Sequence, residues 1–102
     1  MVDASVVDAV RQVRADVLFM SCDGFSLDRG LTTPYRDEAA VKRAMVESAR
    51  WVVALVDSTK FGSEQTYGYL PLDAMDALVT DEDVDDATVE RLAAFGMEVV
   101  RA

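Results

Sequence analysis

Two polar clusters stand out because each follows an unbroken apolar run. Val17-Leu18-Phe19-Met20 leads through Ser21-Cys22 to Asp23-Gly24, and Trp51-Val52-Val53-Ala54-Leu55-Val56 leads to Asp57-Ser58-Thr59-Lys60. Ionised carboxylates only accept hydrogen bonds, so Asp23 and Asp57 suit a ligand rich in hydroxyl groups. The Lys60 ammonium is a compact point charge that suits an anion or a hydroxyl. Each cluster also has a plain structural reading. Lys60 would then be a surface lysine paired with Asp57. Asp23 would be a turn aspartate bonding its own backbone, with Gly24 supplying a positive φ.

Further candidates lie between and beyond these clusters. Thr32 and Thr33 offer hydroxyls either to a ligand or to the backbone of their own loop. Lys42 stands four residues after Glu38, so on a helix the two can pair with each other. Cys22 adjoins the first cluster, but the chain has no histidine to activate it, and it reads as a small buried filler. Asp81-Glu82-Asp83-Val84-Asp85-Asp86 resembles the start of a calcium loop. Asp86 stands where such a loop needs glycine and Leu92 where it needs glutamate, so the run reads as a solvated cap for the next helix.

Composition narrows the chemistry. With one cysteine and no histidine, Cys/His zinc sites and Ser-His-Asp or Cys-His catalysis are excluded. Nineteen acidic against ten basic residues give a formal charge of -9, which repels nucleic acid phosphate, so this chain alone is not expected to bind DNA. An anionic ligand must be held by a local site. Met1-Val2-Asp3-Ala4-Ser5 lacks a secretory start, and the apolar run over 51–56 is too short to span a bilayer, which predicts a cytoplasmic chain with no membrane partner. The 102 residues, 51% hydrophobic, fit one small domain without repeats or linkers.

Apolar periodicity supplies the elements that must position these residues. Helices are expected over 5–14, 37–49 and 87–95, the last stopped by Gly96. Strands are expected over 17–20, 51–56, 77–80 and 97–100, with a short strand or extended loop over 66–70 and a loop over 26–34. The apolar runs look like strands buried on both faces. Alternation of such strands with amphipathic helices predicts an α/β fold, a mostly parallel sheet with helices on its faces. Ligands of these sheets bind at the carboxyl ends of strands, where both polar clusters fall.

Several blocks, in order, resemble the effector-sensing domain of the DeoR family of bacterial transcription regulators. They are Ala15-Asp16-Val17-Leu18-Phe19-Met20-Ser21-Cys22-Asp23-Gly24, Gly30-Leu31-Thr32-Thr33, Glu38-Ala39-Ala40-Val41-Lys42-Arg43-Ala44-Met45, Asp57-Ser58-Thr59-Lys60-Phe61-Gly62, Val79-Thr80-Asp81 and Gly96-Met97-Glu98-Val99-Val100. The resemblance implies a sensor related in fold to ribose-5-phosphate isomerase, here spanning residues 1–102, that binds a phosphorylated sugar or similar metabolite. It implies ligand contacts from Asp23, Gly24, Thr32, Lys42, Asp57 and Lys60, and no cofactor. DNA would be bound only through an N-terminal winged helix-turn-helix, which is absent here along with the first sensor strand and its Gly/Thr-rich phosphate loop. The chain thus reads as a truncated sensor domain. A sheet lacking its first strand exposes an edge or apolar surface, which predicts a homo-oligomer.

Two alternatives belong to other classes. A sugar-phosphate isomerase-like enzyme fragment shares the implied fold. Aligned on the Asp-Ser-Thr-Lys turn, Lys42 stands at the place of the isomerase base, and an ammonium is a poor general base but a good anion contact. That favours binding without turnover. A phosphoacceptor receiver domain needs its lysine after a later strand, whereas Lys60 follows Asp57 by only three residues.

Overall fold

The computed structural model describes residues 4–102, so Met1-Val2-Asp3 of the chain start lie outside the described residues. In chain order the elements are α1 (Ala4–Arg11), β1 (Ala15–Met20), β2 (Gly24–Ser26), β3 (Gly30–Thr33), α2 (Arg36–Glu47), β4 (Ala49–Leu55), β5 (Tyr67–Leu70), β6 (Ala77–Thr80), α3 (Asp86–Ala93) and β7 (Glu98–Arg101). The four apolar runs form the expected sheet, in the order β1-β4-β6-β7 with every pair parallel.

The helices start and stop for local reasons. Asp37 and Glu38 occupy the first turn of α2, where negative charge suits the helix dipole. The Asp85 side chain accepts from the Thr88 amide at 2.8 Å and caps α3, and Gly96, at φ +93°, lets the chain leave. The regular part of α1 stops at Arg11, short of the expected Arg14. Gln12 and Val13 still donate three residues back, to Ala9 and Val10, in a tightened last turn before β1.

The stretch over 26–34 is not simply a loop. It belongs to a β2–β3 hairpin which, with β5, makes a second, antiparallel sheet in the order β2-β3-β5. Gly30 is required there. Its φ is +75°, and a Cβ at this position would lie 1.9 Å from the Leu70 carbonyl oxygen. The expected strand over 66–70 exists, but it joins this smaller sheet.

The apolar strands are not buried on both faces. One face of the parallel sheet, carrying Met20, Val52, Ala54 and Leu78, joins Ala39 of α2, Leu92 of α3 and Phe25, Leu31 and Leu70 of the small sheet in a single core. On the opposite face Phe19 is 64% exposed, and Val17, Trp51, Leu55 and Val100 are also exposed. The core residues of α2 and α3 pack against the first face. A run of apolar residues signals a strand. Burial of its second side depends on what is laid over it.

Candidate functional site

The carboxyl ends of β1 and β4 are adjacent because the strands pair in parallel register, Phe19 beside Val53 and Met20 beside Ala54. Beyond them the chain turns into Ser21-Cys22-Asp23 on one side and Val56-Asp57 on the other. A 3-10 turn over Ser58–Lys60 follows Asp57. The Asp57 carboxylate accepts from the Thr59 amide at 3.0 Å and from the Thr59 hydroxyl. That hydroxyl bond holds the Asp57 carboxyl below its usual range, with the Thr59 amide and Lys60 helping against some desolvation. Asp81, at the end of β6, accepts from the Ser58 amide at 2.8 Å and from the Asp83 amide at 3.0 Å. The Ser58 bond is the main cause of its lowered pKa. The acidic run thus splints the turn that carries Lys60.

Lys60 itself makes no ion pair among the described residues, so the pairing with Asp57 that a plain structural reading allowed is not formed. Lys42 projects from α2 and is held on two sides. Its Nζ lies 2.8 Å from Glu38 Oε1, as the four-residue spacing implied, and 4.8 Å from the centroid of the Tyr69 ring. The Tyr69 hydroxyl donates to the Ser21 carbonyl at 2.7 Å. Burial pushes this phenol above its usual range, reinforced by Cys22, Asp23 and Glu38, so it remains a donor.

Asp23 is exposed, and its Oδ2 accepts from the Thr33 hydroxyl at 3.3 Å. Gly24 does not take a positive φ. Its role is close approach, since a Cβ there would lie 2.5 Å from the Ser63 carbonyl oxygen. Thr32 is fully buried, donates to the Gly24 carbonyl at 3.3 Å and accepts from the Gln65 amide at 2.8 Å. Both bonds serve the small sheet and its neighbouring loop.

Cys22 is part-buried and packs against the edge of the core. Desolvation raises its thiol to about 11, Asp23 and Asp57 add to the effect, and Lys42 and Lys60 oppose it. The charges that act on this thiol thus come from α2 and from the turns after β1 and β4. Asp23 follows β1, Asp57 and Lys60 follow its parallel neighbour β4, and Lys42 lies over Tyr69, whereas Thr32 is enclosed. A cleft of about 470 Å³ opens beside Phe61 and Gly62 and is lined by Arg91 and Thr88 of α3, but none of these four charged residues lines it. Tyr69 escaped sequence reasoning. The alternation in Tyr67-Gly68-Tyr69 marks a strand, but nothing local says that its ring will lie under Lys42.

Comparison with known proteins shows the family. Residues 1–82 match the family described as the DeoR C terminal sensor domain. The chain is 35% identical over 85 residues to the HTH-type transcriptional regulator GlpR of Haloferax volcanii, covering 83% of this chain and 33% of that protein. It is 32% identical over 85 residues to the putative aga operon transcriptional repressor of Escherichia coli O157:H7, with 83% and 32% covered. It is 31% identical over 97 residues to the HTH-type transcriptional repressor GlcR of Bacillus subtilis, with 95% and 37% covered. The chain thus spans about a third of the length of these relatives, which are named as regulators and not as enzymes. From its parallel sheet, its strand-end motifs and the match over 82 of its 102 residues, this chain belongs to the DeoR C-terminal sensor-domain family.

Proposed function

We propose that the chain is the effector-sensing part of a DeoR-type regulator and that it binds a phosphorylated sugar at the carboxyl edge of the parallel sheet, between the Asp23-Gly24 turn and the loop over 57–62. The observation that carries this reading is the parallel pairing of β1 with β4, which sets the Asp23 turn beside the turn that carries Asp57 and Lys60, in a chain of net charge -9. Lys60 has no ion-pair partner among the described residues. Two ammoniums suit a phosphate, and the Asp23 and Asp57 carboxylates beside them suit sugar hydroxyls. Lys42 exchanges its bond with Glu38 for one with the ligand. Lys42, an ammonium at neutral pH, stands at the place of the isomerase base, so the site binds without converting. In the whole regulator the bound ligand alters operator binding by an N-terminal DNA-binding domain, and this acidic portion makes no DNA contact of its own.

Calorimetry tests the site on this chain, with ribose 5-phosphate, glucose 6-phosphate, the free sugars and inorganic phosphate as probes. A sugar phosphate should bind and its free sugar should not. Lys60→Ala should weaken binding by about 1.5–3 kcal/mol, the worth of a hydrogen bond to a charged group. Lys60→Arg should not restore it fully, because a planar fork replaces a point charge. Unchanged affinity in Lys60→Ala removes the site assignment. Isomerised sugar recovered after the titration would favour the enzyme reading.

A further inference from the structure

We infer that Arg29 and Arg43 form a second oxyanion site, separate from the strand-end site, that takes the phosphate group of a small metabolite. The two side chains come from different elements and meet at Gly68 of β5. Arg29, just before β3, donates from Nη1 to the Gln65 carbonyl at 2.8 Å and from Nη2 to the Thr66 carbonyl at 2.9 Å. Arg43, on α2, donates to the Gly68 carbonyl from Nε at 3.1 Å and from Nη2 at 2.7 Å. A Cβ added to Gly68 would lie 3.5 Å from Arg29 Nη2, so both guanidiniums border this one residue, which puts no side chain in front of Arg29. The two arginines line one cleft of about 370 Å³, together with Asp28, Tyr69, Leu70 and Pro71.

The carbonyl bonds fix the two forks without neutralising them. Every partner is uncharged, and no carboxylate lies within ion-pair distance of Arg29 or Arg43 among the described residues. Glu64, beside Gln65 in the chain, instead accepts from the Ser26 hydroxyl at 3.0 Å. Each guanidinium has five N–H donors, of which these bonds use two. Both arginines are exposed, so an anion can reach them. Two held like charges bordering one residue repel each other, and an anion between them relieves the repulsion. Because the carbonyls already hold the side chains, binding loses less rotamer freedom than at a mobile surface arginine. One fork is enough for a carboxylate, whereas two forks suit a phosphate dianion with its three outer oxygens. Asp28 lines the same cleft and opposes the anion, which supplies a variant of opposite sign. Lys42 and Lys60 do not line this cleft, although Arg43 follows Lys42 on α2 and Gly68 precedes Tyr69 on β5.

Nitrogen-15 NMR of the full 102-residue chain resolves the Nε–Hε group of each arginine. Inorganic phosphate, sulfate and acetate should be titrated at neutral pH and constant ionic strength to about 20 mM, a range that brackets a Kd of about 1 mM. Phosphate should shift the Nε–Hε signals of Arg29 and Arg43 and the amide of Gly68 along one saturating curve. Sulfate should do the same, and acetate should bind about tenfold more weakly because it engages one fork. Arg43→Gln should weaken phosphate binding about tenfold or more, as loss of a hydrogen bond to a charged group does, with an unchanged circular dichroism spectrum. Arg43→Lys should recover only part of the loss, since a point charge replaces the fork. Asp28→Asn should tighten binding about threefold by removing the opposing charge. It alters neither fork, so with the wild-type titration it decides the matter even where Arg43→Gln disturbs the fold. Lys60→Ala should leave these shifts unchanged, which tells failure of this site from failure of the strand-end site. Shifts that stay linear to the end of the titration, that acetate matches, or that fall on the 57–60 turn and not on Arg29 and Arg43 overturn the assignment. So does unchanged phosphate affinity in both Arg43→Gln and Asp28→Asn.

Discussion

The Tyr69 hydroxyl donates to the Ser21 carbonyl at 2.7 Å and so ties the small antiparallel sheet to the carboxyl end of β1. The two residues are 48 positions apart in sequence, and the same ring carries the Lys42 ammonium. Tyr69→Phe removes the donor and keeps the ring. It should lower stability by about 0.5–1.5 kcal/mol, the net worth of one hydrogen bond, while leaving the cation–π contact in place. Urea unfolding should show a lower midpoint with an unchanged slope. An unchanged midpoint would mean that the tie contributes nothing.

Two glycines with similar φ values should respond differently to alanine. Gly30, at +75°, faces the Leu70 carbonyl, whereas a Cβ added to Gly62, at +82°, would meet no atom within 4 Å. Gly62→Ala should cost only the backbone strain, about 1–2 kcal/mol. Gly30→Ala adds a clash with backbone that cannot rotate away and should cost roughly 3–5 kcal/mol. Thermal melts of the two variants make the comparison, and equal losses would contradict the close approach of β3 to β5.

Thr32 discriminates a structural hydroxyl from a ligand contact. Thr32→Val keeps the shape and leaves the Gln65 amide and the Gly24 carbonyl without their partner. Stability should fall by about 1–3 kcal/mol. Lys60→Ala should leave stability nearly unchanged, because a part-exposed lysine with no ion pair among the described residues adds little to folding. If Thr32→Val instead lost only ligand affinity, its enclosure in the small sheet would be wrong.

Cys22 gives a pH dependence whose sign is definite. Its thiol is raised from 9.0 to about 11 in the folded chain, first by desolvation and then by Asp23. Between these values the unfolded chain has lost the proton that the folded chain retains, so stability decreases as pH rises. The contribution is fully present below 9.0 and is lost as pH rises to about 11. The difference between wild type and Cys22→Ala in alkaline melts isolates this group from the other titrating residues. A difference independent of pH would refute the shift. Alkylation of Cys22 by iodoacetamide near neutral pH should also be slower than that of a free thiol, because the thiolate is the nucleophile.

The order of elements was legible in the amino-acid sequence because the segments over 51–56 and 77–80 are apolar runs closed by polar breaks, and α3 carries its own cap at Asp85 and stop at Gly96. Family membership was legible too, because the motif blocks are contiguous and their order survives without coordinates. The hairpin was not legible. Its strands β2 and β3 hold three and four residues, too few to show a period, and the pairing of β3 with β5 joins segments more than thirty positions apart. Composition likewise could not separate Thr32 from Thr33. Both are buried, but adjacent residues on a strand point to opposite faces. Thr32 therefore meets the backbone of Gly24 and Gln65, whereas Thr33 reaches the Asp23 carboxylate. The open sheet face was hidden for a related reason. An apolar run records that a strand lies against something on at least one side, whereas exposure of the other side is a property of the assembled layers. The order of residues alone thus establishes the α/β alternation, the strand-end location of Asp23 and Lys60 and the helical spacing of Glu38 and Lys42. Packing settles the rest: Lys42 rests on Tyr69, Lys60 is left without an ion pair among the described residues, and Phe19 and Trp51 face outward, because each of these depends on contacts between segments far apart in the chain.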